Sequence, residues 1–229
     1  QIDIPEYQLS FSEFRARVAE RFRPDWDAFN LWGLLSKTEE PIFRAYSVAN
    51  PPSEKDILKF TIRIATPPPG VSEAPPGAGS SYIFNLKPGD RVTLSGPYGS
   101  FFTKDTDREM CFVGGGAGMA PLRSHILHQL NTGARSKLEL FFENEFRDLE
   151  KKYENFSFYV ALSQPKPEDS WKGLTGYIHQ CLLDNYLIQH EDPTEIEYYL
   201  CGPPPMVDAI EDMLDNLGVD SEMIAYDKF

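Results

Sequence analysis

The sequence has few cysteines, and this scarcity argues against two classes of protein. Its 229 residues include three, Cys111, Cys181 and Cys201, which lie far apart along the chain. An odd and sparse set favours a reducing compartment over a disulfide scaffold. No cysteine spacing matches a metal-ligand pattern such as C-x-x-C, and the four histidines share no motif, so we expect no metal site.

Basic residues and long apolar runs are also scarce. The chain has 22 Lys and Arg against 35 Asp and Glu, which gives a net charge of −13. Because a nucleic-acid backbone is bound by clustered Lys and Arg, we expect no nucleic-acid partner. No stretch approaches the roughly 18 consecutive apolar residues of a membrane-spanning helix. The chain opens on Gln1–Ile4, which resembles the middle of a strand. We therefore expect a soluble fragment of a longer protein.

The first part of the chain, residues 1–108, has the pattern of a β domain. The predicted strands are Phe43–Val48, Leu58–Ala65 and Arg91–Ser95. Tyr82–Leu86 predicts a short helix after a glycine turn. In the stretch Phe11–Phe22, basic and acidic residues alternate between aromatics, and we expect this stretch to be a solvated insertion.

From Glu109 onward, strand and helix patterns alternate. The predicted strands are Cys111–Val113, Phe156–Leu162, Tyr198–Cys201 and Met223–Tyr226. The predicted helices are Leu122–Leu130, Leu138–Tyr153, Ile178–Leu187 and Met206–Leu217. Such alternation predicts a parallel sheet with helices on both faces, and we expect residues 109–229 to form an α/β domain.

One strand is missing from this alternation. A parallel sheet needs a strand after the helix that ends at Leu130, yet only Asn131 and Thr132 precede Gly133-Ala134-Arg135-Ser136. We infer that residues are missing between Thr132 and Gly133.

A glycine cluster follows the first strand of the α/β part. Met110–Val113 leads into Gly114-Gly115-Gly116-Ala117-Gly118-Met119, and a predicted helix follows at once. Glycines let a backbone approach a phosphate closely, and a helix N-terminus offers free N–H groups to it. The cluster is typical of a dinucleotide site, although glycine-rich turns without a cofactor also occur.

Two further motifs flank this cluster. Arg44-Ala45-Tyr46-Ser47 lies upstream, and Cys201-Gly202-Pro203-Pro204-Pro205-Met206 lies downstream. An aromatic ring and a hydroxyl can contact a flavin, and an arginine can pair with a pyrophosphate. The three motifs in this order resemble the ferredoxin–NADP reductase superfamily. The resemblance implies an antiparallel β-barrel flavin domain, N-terminally incomplete at 1–108, and a Rossmann-like nucleotide domain with a parallel sheet at 109–229.

The resemblance also implies which residues form the sites. The expected FAD contacts are Arg44, Ala45, Tyr46, Ser47, Arg63, Ile64, Ala65, Thr66, Gly79, Ser80, Ser81 and Phe229. The expected NADH contacts are Gly114, Gly115, Gly116, Ala117, Gly118, Met119, Ala134, Arg135, Cys201, Gly202, Pro203 and Met206. Ile64 and Ala65 fit core positions equally well. Cys111 and Cys181 are expected to be core residues.

Three of these residues are expected to act in catalysis. The resemblance places the Ser47 hydroxyl near flavin N5, Cys201 beside nicotinamide C4, and Phe229 over the flavin ring until nicotinamide displaces it. We expect Cys201 to position the nicotinamide and not to act as a nucleophile, because no His or Asp stands near it in sequence.

Longer segments narrow the resemblance. Over nearly the whole chain the sequence resembles the F subunits of sodium-translocating NADH:quinone oxidoreductases, in particular at Pro41–Asn50, Arg63–Pro69, Gly114–His125 and Tyr199–Met206. This implies hydride transfer from NADH to FAD, then single electrons to a [2Fe–2S] cluster in an absent N-terminal part. It also implies partner subunits of a membrane quinone reductase, at the cytoplasmic face of the bacterial inner membrane.

Two other functions remain open. One is a free-standing NAD(P)H reductase for ferredoxin, flavin or a monooxygenase, and the other is a non-catalytic binding module. For the nucleotide, Arg135-Ser136 would favour a 2′-phosphate and Glu139 would repel one. The subunit resemblance favours NADH.

Overall fold

The chain forms two compact units. The structure, a computed structural model, describes residues 1–68, 74–132, 137–138, 143–165, 167 and 170–229. Unit 1 comprises Gln1–Tyr46 and Ile62–Gly99, and unit 2 comprises Ser47–Thr61 and Ser100–Phe229. Among the helices in these ranges, none has the length and apolar character needed to cross a membrane. The domain boundary near residue 108 stays a prediction.

Unit 1 is built on two antiparallel strand pairs. Strand β1 (Ile2–Ile4) pairs with β4 (Ile42–Arg44), and β2 (Tyr7–Ser10) pairs with β3 (Leu35–Thr38). The N–H of Asp3 donates to the carbonyl of Thr93 (3.0 Å), which adds the segment around Leu94 to the free edge of β1. These small antiparallel sheets agree with a barrel-like domain.

The predicted strands before residue 100 are longer than the observed ones. In the described residues, Phe43–Val48 is a strand only as far as Arg44, and Arg91–Ser95 forms a single bridge from Leu94 to Ile2. The predicted strand Leu58–Ala65 is present only as a bridge from Phe60 to Val48. Alternating apolar residues predict which face is buried, but a strand also needs a partner for its N–H and C=O groups.

The stretch Phe11–Phe22 is part of the core, so the prediction of a solvated insertion is wrong. It forms 3₁₀ turns at Phe11–Ala16 and Glu20–Phe22, and the side chains of Phe11 and Phe14 are fully buried. They pack with Trp26 of helix α1 (Arg23–Ala28), and the Phe14 ring meets that of Phe84 edge-on at 4.9 Å. The charged residues between these aromatics point outward, because the apolar ones recur at helical spacing.

Helix α2 confirms the predicted short helix but begins earlier. It spans Ala78–Asn85, so the small residues that were expected to form a turn are its first turn. Gly79, Ser80 and Ser81 are buried there, because small side chains let the helix pack closely on the strands.

Unit 2 contains the predicted parallel sheet. Its four strands lie in the order β10 (Ile224–Lys228), β9 (Glu197–Gly202), β5 (Met110–Gly114) and β6 (Lys137–Leu138), all parallel. A separate parallel pair joins β7 (Ala161–Leu162) to β8 (Leu174–Thr175). Strand β7 therefore covers only the end of the predicted strand Phe156–Leu162, although Phe156, Phe158 and Val160 are buried in alternation.

In the described residues of unit 2, four α-helices connect the strands. They are α3 (Met119–Thr132), α4 (Glu143–Lys152), α5 (Ile178–Asn185) and α6 (Pro204–Asn216). The predicted helix Leu138–Tyr153 started too early, since Leu138 belongs to β6. Met110 and Phe112 face the core beneath α3, while Cys111 and Val113 face the core beneath α6, so the sheet is buried on both sides. The prediction that Cys111 and Cys181 are buried core residues is confirmed.

The backbone just before α3, at Gly118, lies so close to the end of β9 that no side chain would fit at this position. A Cβ atom placed on Gly118 would lie 2.1 Å from the carbonyl oxygen of Cys201. That oxygen accepts a hydrogen bond from the N–H of Gly115 (2.9 Å). Gly118 is therefore required by the packing between helix and strand.

Replacing Gly118 tests this packing. Gly118→Ala is expected to destabilise the protein by about 1–3 kcal/mol, because the added methyl group must push backbone away from backbone. Gly33→Ala is the matched control, since a Cβ at Gly33 meets nothing within 4 Å. Urea unfolding followed by circular dichroism measures both variants. Equal unfolding midpoints for the two would contradict the packing argument.

His125 makes the stability of unit 2 dependent on pH. Burial lowers the pKa of His125 from 6.5 to about 4, although its ring bonds to the carbonyl of Phe101 (3.1 Å). The unfolded chain takes up a proton near pH 6.5 and the folded chain only near pH 4, so stability present above pH 6.5 is lost as the pH falls.

The expected loss between pH 7 and pH 4 is on the order of 2–3 kcal/mol. It is checked by urea unfolding at several pH values. His125→Gln, which keeps a donor for Phe101, should flatten that part of the profile. A profile unchanged by His125→Gln would exclude His125 as its source.

Candidate functional site

Most of the described residues predicted to contact NADH lie at the carboxyl ends of β5 and β9. In a doubly wound sheet, ligands bind at this edge. The glycine turn continues β5 into a 3₁₀ turn at Gly116–Gly118, where Gly116 has a φ of 61°. A left-handed residue at this point turns the chain so that α3 starts at the sheet edge. The predicted contacts Gly114 to Met119 thus form one connected turn.

The downstream motif meets this turn directly. A Cβ on Gly115 would lie 2.6 Å from Sδ of Met206, and a Cβ on Gly202 would lie 2.6 Å from Cε of the same side chain. Pro203 flanks Gly115 as well, at 3.1 Å from such a Cβ. The structure therefore brings these four predicted NADH contacts together.

Cys201 is paired in the sheet with an acidic residue that the sequence reasoning missed. In the register of β9 and β10, Asp227 lies opposite Cys201. Burial, together with the smaller effect of the nearby Asp227 charge, raises the pKa of the Cys201 thiol to about 12. The thiol is therefore protonated at neutral pH, which suits the predicted positioning role and not that of a nucleophile.

Asp227 also binds Ser47. The Ser47 hydroxyl donates to Oδ2 of Asp227 (3.3 Å), and both residues belong to unit 2. Ser47, Cys201 and Asp227 thus meet around one carboxylate. The sequence signal was the position of Asp227 near the end of a strand parallel to β9, where side chains reach the ligand edge.

Phe229 follows directly after β10. Its N–H donates to the carbonyl of Gly202 (3.4 Å), and its side chain is 57% exposed. The backbone is therefore held at the nucleotide turn while the ring is available for contact. Its role as a flavin cover stays a prediction.

Three of the predicted FAD residues meet in unit 1 at the start of α2. A Cβ on Gly79 would lie 2.7 Å from Cγ of Arg44 and 2.9 Å from the Tyr46 hydroxyl. Burial raises the pKa of that hydroxyl. The Arg44 side chain is exposed, and its guanidinium donates to the carbonyl of Phe43 (2.7 Å). Arg44 and Tyr46 thus pack against Gly79 in the first turn of α2.

Two neighbouring serines in α2 differ in their bonding. The Ser80 hydroxyl accepts from the N–H of Ala65 (3.0 Å) and donates to the carbonyl of Gly77 (3.1 Å). The Ser81 hydroxyl is fully buried and, within the described part of the chain, has no hydrogen-bond partner. A buried hydroxyl without a partner costs about 1–3 kcal/mol. The unused hydrogen bond of the Ser81 hydroxyl, near the start of α2, would suit an acceptor such as a pyrophosphate.

The remaining predicted FAD contacts fall in different surroundings. Ala45, Arg63 and Ala65 are exposed, and Thr66 is half-buried. Ile64 packs against the cluster of Phe11, Phe14 and Trp26, which agrees with the alternative that it is a core residue.

Some of the residues predicted to contact or select the nucleotide fall outside the part of the chain that the structure describes. Ala134, Arg135, Ser136, Glu139 and the inferred break after Thr132 lie outside the described residues.

Comparison with known proteins follows the same division. Residues 33–102 match the oxidoreductase FAD-binding domain, and residues 112–212 match the oxidoreductase NAD-binding domain. In an alignment of 240 positions, the chain is 50% identical to the F subunit of the Na(+)-translocating NADH-quinone reductase of Neisseria meningitidis. It is 51% identical to that of Klebsiella pneumoniae, also over 240 positions. It is covered completely, and it spans 59% and 58% of the length of those relatives.

Solved structures share the fold. The ferredoxin reductase in carbazole 1,9a-dioxygenase superposes with a TM-score of 0.65 at 31% identity, over 87% of this chain and 57% of that one. The FAD/NAD-binding domain of a Vibrio cholerae nitric oxide dioxygenase gives 0.62 at 23% identity, over 84% and 79%, which concerns the fold alone.

The predicted fold class and the resemblance to F subunits are both confirmed by these matches. An FAD-binding match is followed by a NAD-binding match, with a glycine turn and a Cys-Gly-Pro-Pro segment meeting at one sheet edge. The chain therefore belongs to the oxidoreductases that carry an FAD-binding domain followed by a NAD-binding domain.

Proposed function

We propose that this chain is the FAD- and NADH-binding part of an NADH dehydrogenase. The observation that carries the proposal is the meeting of Ser47, Cys201 and Asp227 at the carboxyl ends of β9 and β10. A neutral thiol can lie beside a nicotinamide ring without attacking it as a nucleophile. The Asp227 carboxylate stabilises the positive charge that forms on that ring when it gives up hydride.

In this proposal the residues of unit 1 hold FAD. Arg44 pairs with its pyrophosphate, the start of α2 and the Ser81 hydroxyl donate to the same group, and Tyr46 contacts the ring. Bound FAD would accept two electrons as hydride and release them one at a time, which no amino-acid side chain of this protein can do. Phe229 covers the ring until nicotinamide enters.

The electron acceptor is proposed from the relatives. We propose that single electrons leave the flavin for a [2Fe–2S] cluster held outside these 229 residues, and then for other subunits of a sodium-pumping quinone reductase complex at the inner membrane. The 50% identity to an F subunit supports this acceptor. A free-standing reductase for ferredoxin, flavin or a monooxygenase is the second candidate, supported by the 31% identity to a ferredoxin reductase.

One experiment tests the proposed reaction. The purified protein should be yellow, release FAD on heating, and be reduced by NADH faster than by NADPH. It should then reduce ferricyanide but not quinone. Ser47→Ala should keep FAD but slow its reduction by NADH roughly tenfold or more, since a group that contacts the reacting atoms is lost. Stopped-flow absorbance measures this rate.

The control is Ser53→Ala, an exposed serine of the same segment, which should leave the rate unchanged. Protein without FAD, or flavin that NADH does not reduce, would refute the proposed function. Equal rates for parent and Ser47→Ala would remove Ser47 from the reaction but leave the cofactors in place. Rapid transfer to ferredoxin or free flavin would favour the second candidate.

The two serines of α2 provide a separate test of the FAD site. Ser81→Ala should leave the FAD-free protein as stable or more stable, because a buried hydroxyl without a partner in the described residues is removed. It should weaken FAD binding by roughly tenfold to hundredfold, since a hydrogen bond to a charged group is lost. Thermal unfolding of FAD-free protein and fluorescence titration with FAD measure the two effects.

Ser80→Ala is the matched control, because its expected effect on the stability of the FAD-free protein is the opposite. It removes two bonds inside the protein, to Ala65 and Gly77, and should destabilise the FAD-free protein by about 1–2 kcal/mol. If Ser81→Ala lowered stability and left FAD affinity intact, the Ser81 hydroxyl would have a structural role and the pyrophosphate site would be misplaced.

A further inference from the structure

The segment Ser47–Thr61 is a loop with its own polar centre. The Asn50 side chain accepts from the N–H of Lys59 (2.6 Å) and donates to the carbonyls of Ile57 (3.1 Å) and Glu54 (3.3 Å). The N–H of Ala49 donates to the carbonyl of Lys59 (2.8 Å). Ala49 and Asn50 are buried. The loop is thus a defined structure that can be held as one piece.

Helix α3 holds this loop through two adjacent side chains. Nη1 of Arg123 donates to the carbonyl of Ala49 (2.7 Å), and Oγ of Ser124 donates to the carbonyl of Asn50 (2.9 Å). Arg123 is 7% exposed, although it carries a charge. Two consecutive carbonyls of the loop are therefore fixed by two consecutive residues of the helix that follows the glycine turn.

Acidic side chains fix the orientation of Arg123. Its Nε and Nη2 donate to the two carboxylate oxygens of Glu145 (2.7 and 2.6 Å), and a Glu54 oxygen lies 3.9 Å from Nη2. Such a two-point pair holds the planar guanidinium in one orientation, so Nη1 points at Ala49. A lysine has one nitrogen and cannot bond to both Glu145 oxygens and Ala49 with the same geometry.

This arrangement reaches the reaction site through the chain. Ser47 lies two residues before Ala49, and two residues span at most about 7 Å. The Ser47 hydroxyl bonds to Asp227 at the other end of this short connection. Movement of the Ala49 carbonyl would therefore move Ser47 relative to Asp227 and Cys201.

We propose that Arg123 is a positioning residue for hydride transfer, which holds the Ala49–Asn50 backbone and thereby sets Ser47 against Asp227. Arg123 touches neither cofactor nor substrate in this proposal. The inference rests on the proposed function, because it assigns a reactive role to the Ser47 hydroxyl. It also gives α3 two tasks, since its first turn continues the nucleotide turn and its next residues hold the loop.

The test compares Arg123→Lys with Arg147→Lys. Arg147 is a matched control in the same unit, because its Nη1 likewise donates to a glutamate, Glu150 (3.1 Å), and to a backbone carbonyl, Phe158 (2.8 Å). Arg123→Lys should keep FAD content and KM for NADH near the parent values. It should slow flavin reduction roughly tenfold to hundredfold, the cost of a small misplacement of a reacting group. Arg147→Lys should leave the rate unchanged.

A double variant separates positioning from general damage. In a Ser47→Ala background, Arg123→Lys should produce no further loss of rate, because the hydroxyl it positions is gone. Hydrogen exchange gives a reading independent of activity. Backbone amides of residues 47–61 should exchange faster in Arg123→Lys and at the parent rate in Arg147→Lys.

The outcomes distinguish this proposal from the function on which it rests. A full additional loss in the double variant, or unchanged exchange in the loop, would overturn the positioning role and leave the proposed function intact. A parent protein that NADH does not reduce would refute both. If Arg123→Lys does not fold, Ser124→Ala replaces it, and its smaller loss of rate should likewise vanish in the Ser47→Ala background.

Discussion

The contact between Gly118 and the carbonyl of Cys201 is the constraint on which the nucleotide site depends. A methyl group at Gly118 would lie 2.1 Å from that oxygen, so the helix start and the strand end can meet only without a side chain. The same oxygen accepts the N–H of Gly115. Because both motifs are joined at this point, the position of the thiol, the turn and the start of α3 are set together. The glycine that this packing requires is also one of the residues predicted to contact NADH.

Much of unit 2 could be predicted because its signals are local. A buried apolar strand, a glycine turn and a helix follow one another within Met110–Thr132, and each is visible in the sequence. Unit 1 was predicted less well, since antiparallel pairing depends on partners distant in sequence, as between Ile2 and Arg44. The burial of Phe11 and Phe14 was not predicted, because the alternating charges of this stretch indicate a solvated surface and obscure the helical spacing of its aromatic residues. Asp227 was missed because its importance comes from register with Cys201, which no single motif contains.

The two cofactor regions use buried polar groups in different ways. In unit 2, Arg123 and the Ser47 hydroxyl find partners within the protein, so the site residues are held before any ligand arrives. In unit 1, the Ser80 hydroxyl is satisfied while that of Ser81 has no partner in the described residues. A satisfied group gives rigidity, and an unsatisfied one lowers the stability of the empty protein and adds to the affinity for a ligand that bonds to it. Cys201 adds a third arrangement, in which burial and, to a smaller extent, the nearby Asp227 raise the pKa of the thiol and keep it neutral.

The grouping of Ser47–Thr61 with unit 2 has a consequence for modularity. This segment lies inside the stretch that matches the FAD-binding domain, yet its backbone is bonded to helix α3. A nucleotide domain cut out after residue 108 would leave Arg123 with its charge buried and the Ala49 carbonyl gone. Exchange of this domain between related reductases, by recombination or by design, must therefore carry two separate stretches of sequence. Insertions in the loop would have to preserve its bonds to a helix that begins far along the chain, at Met119.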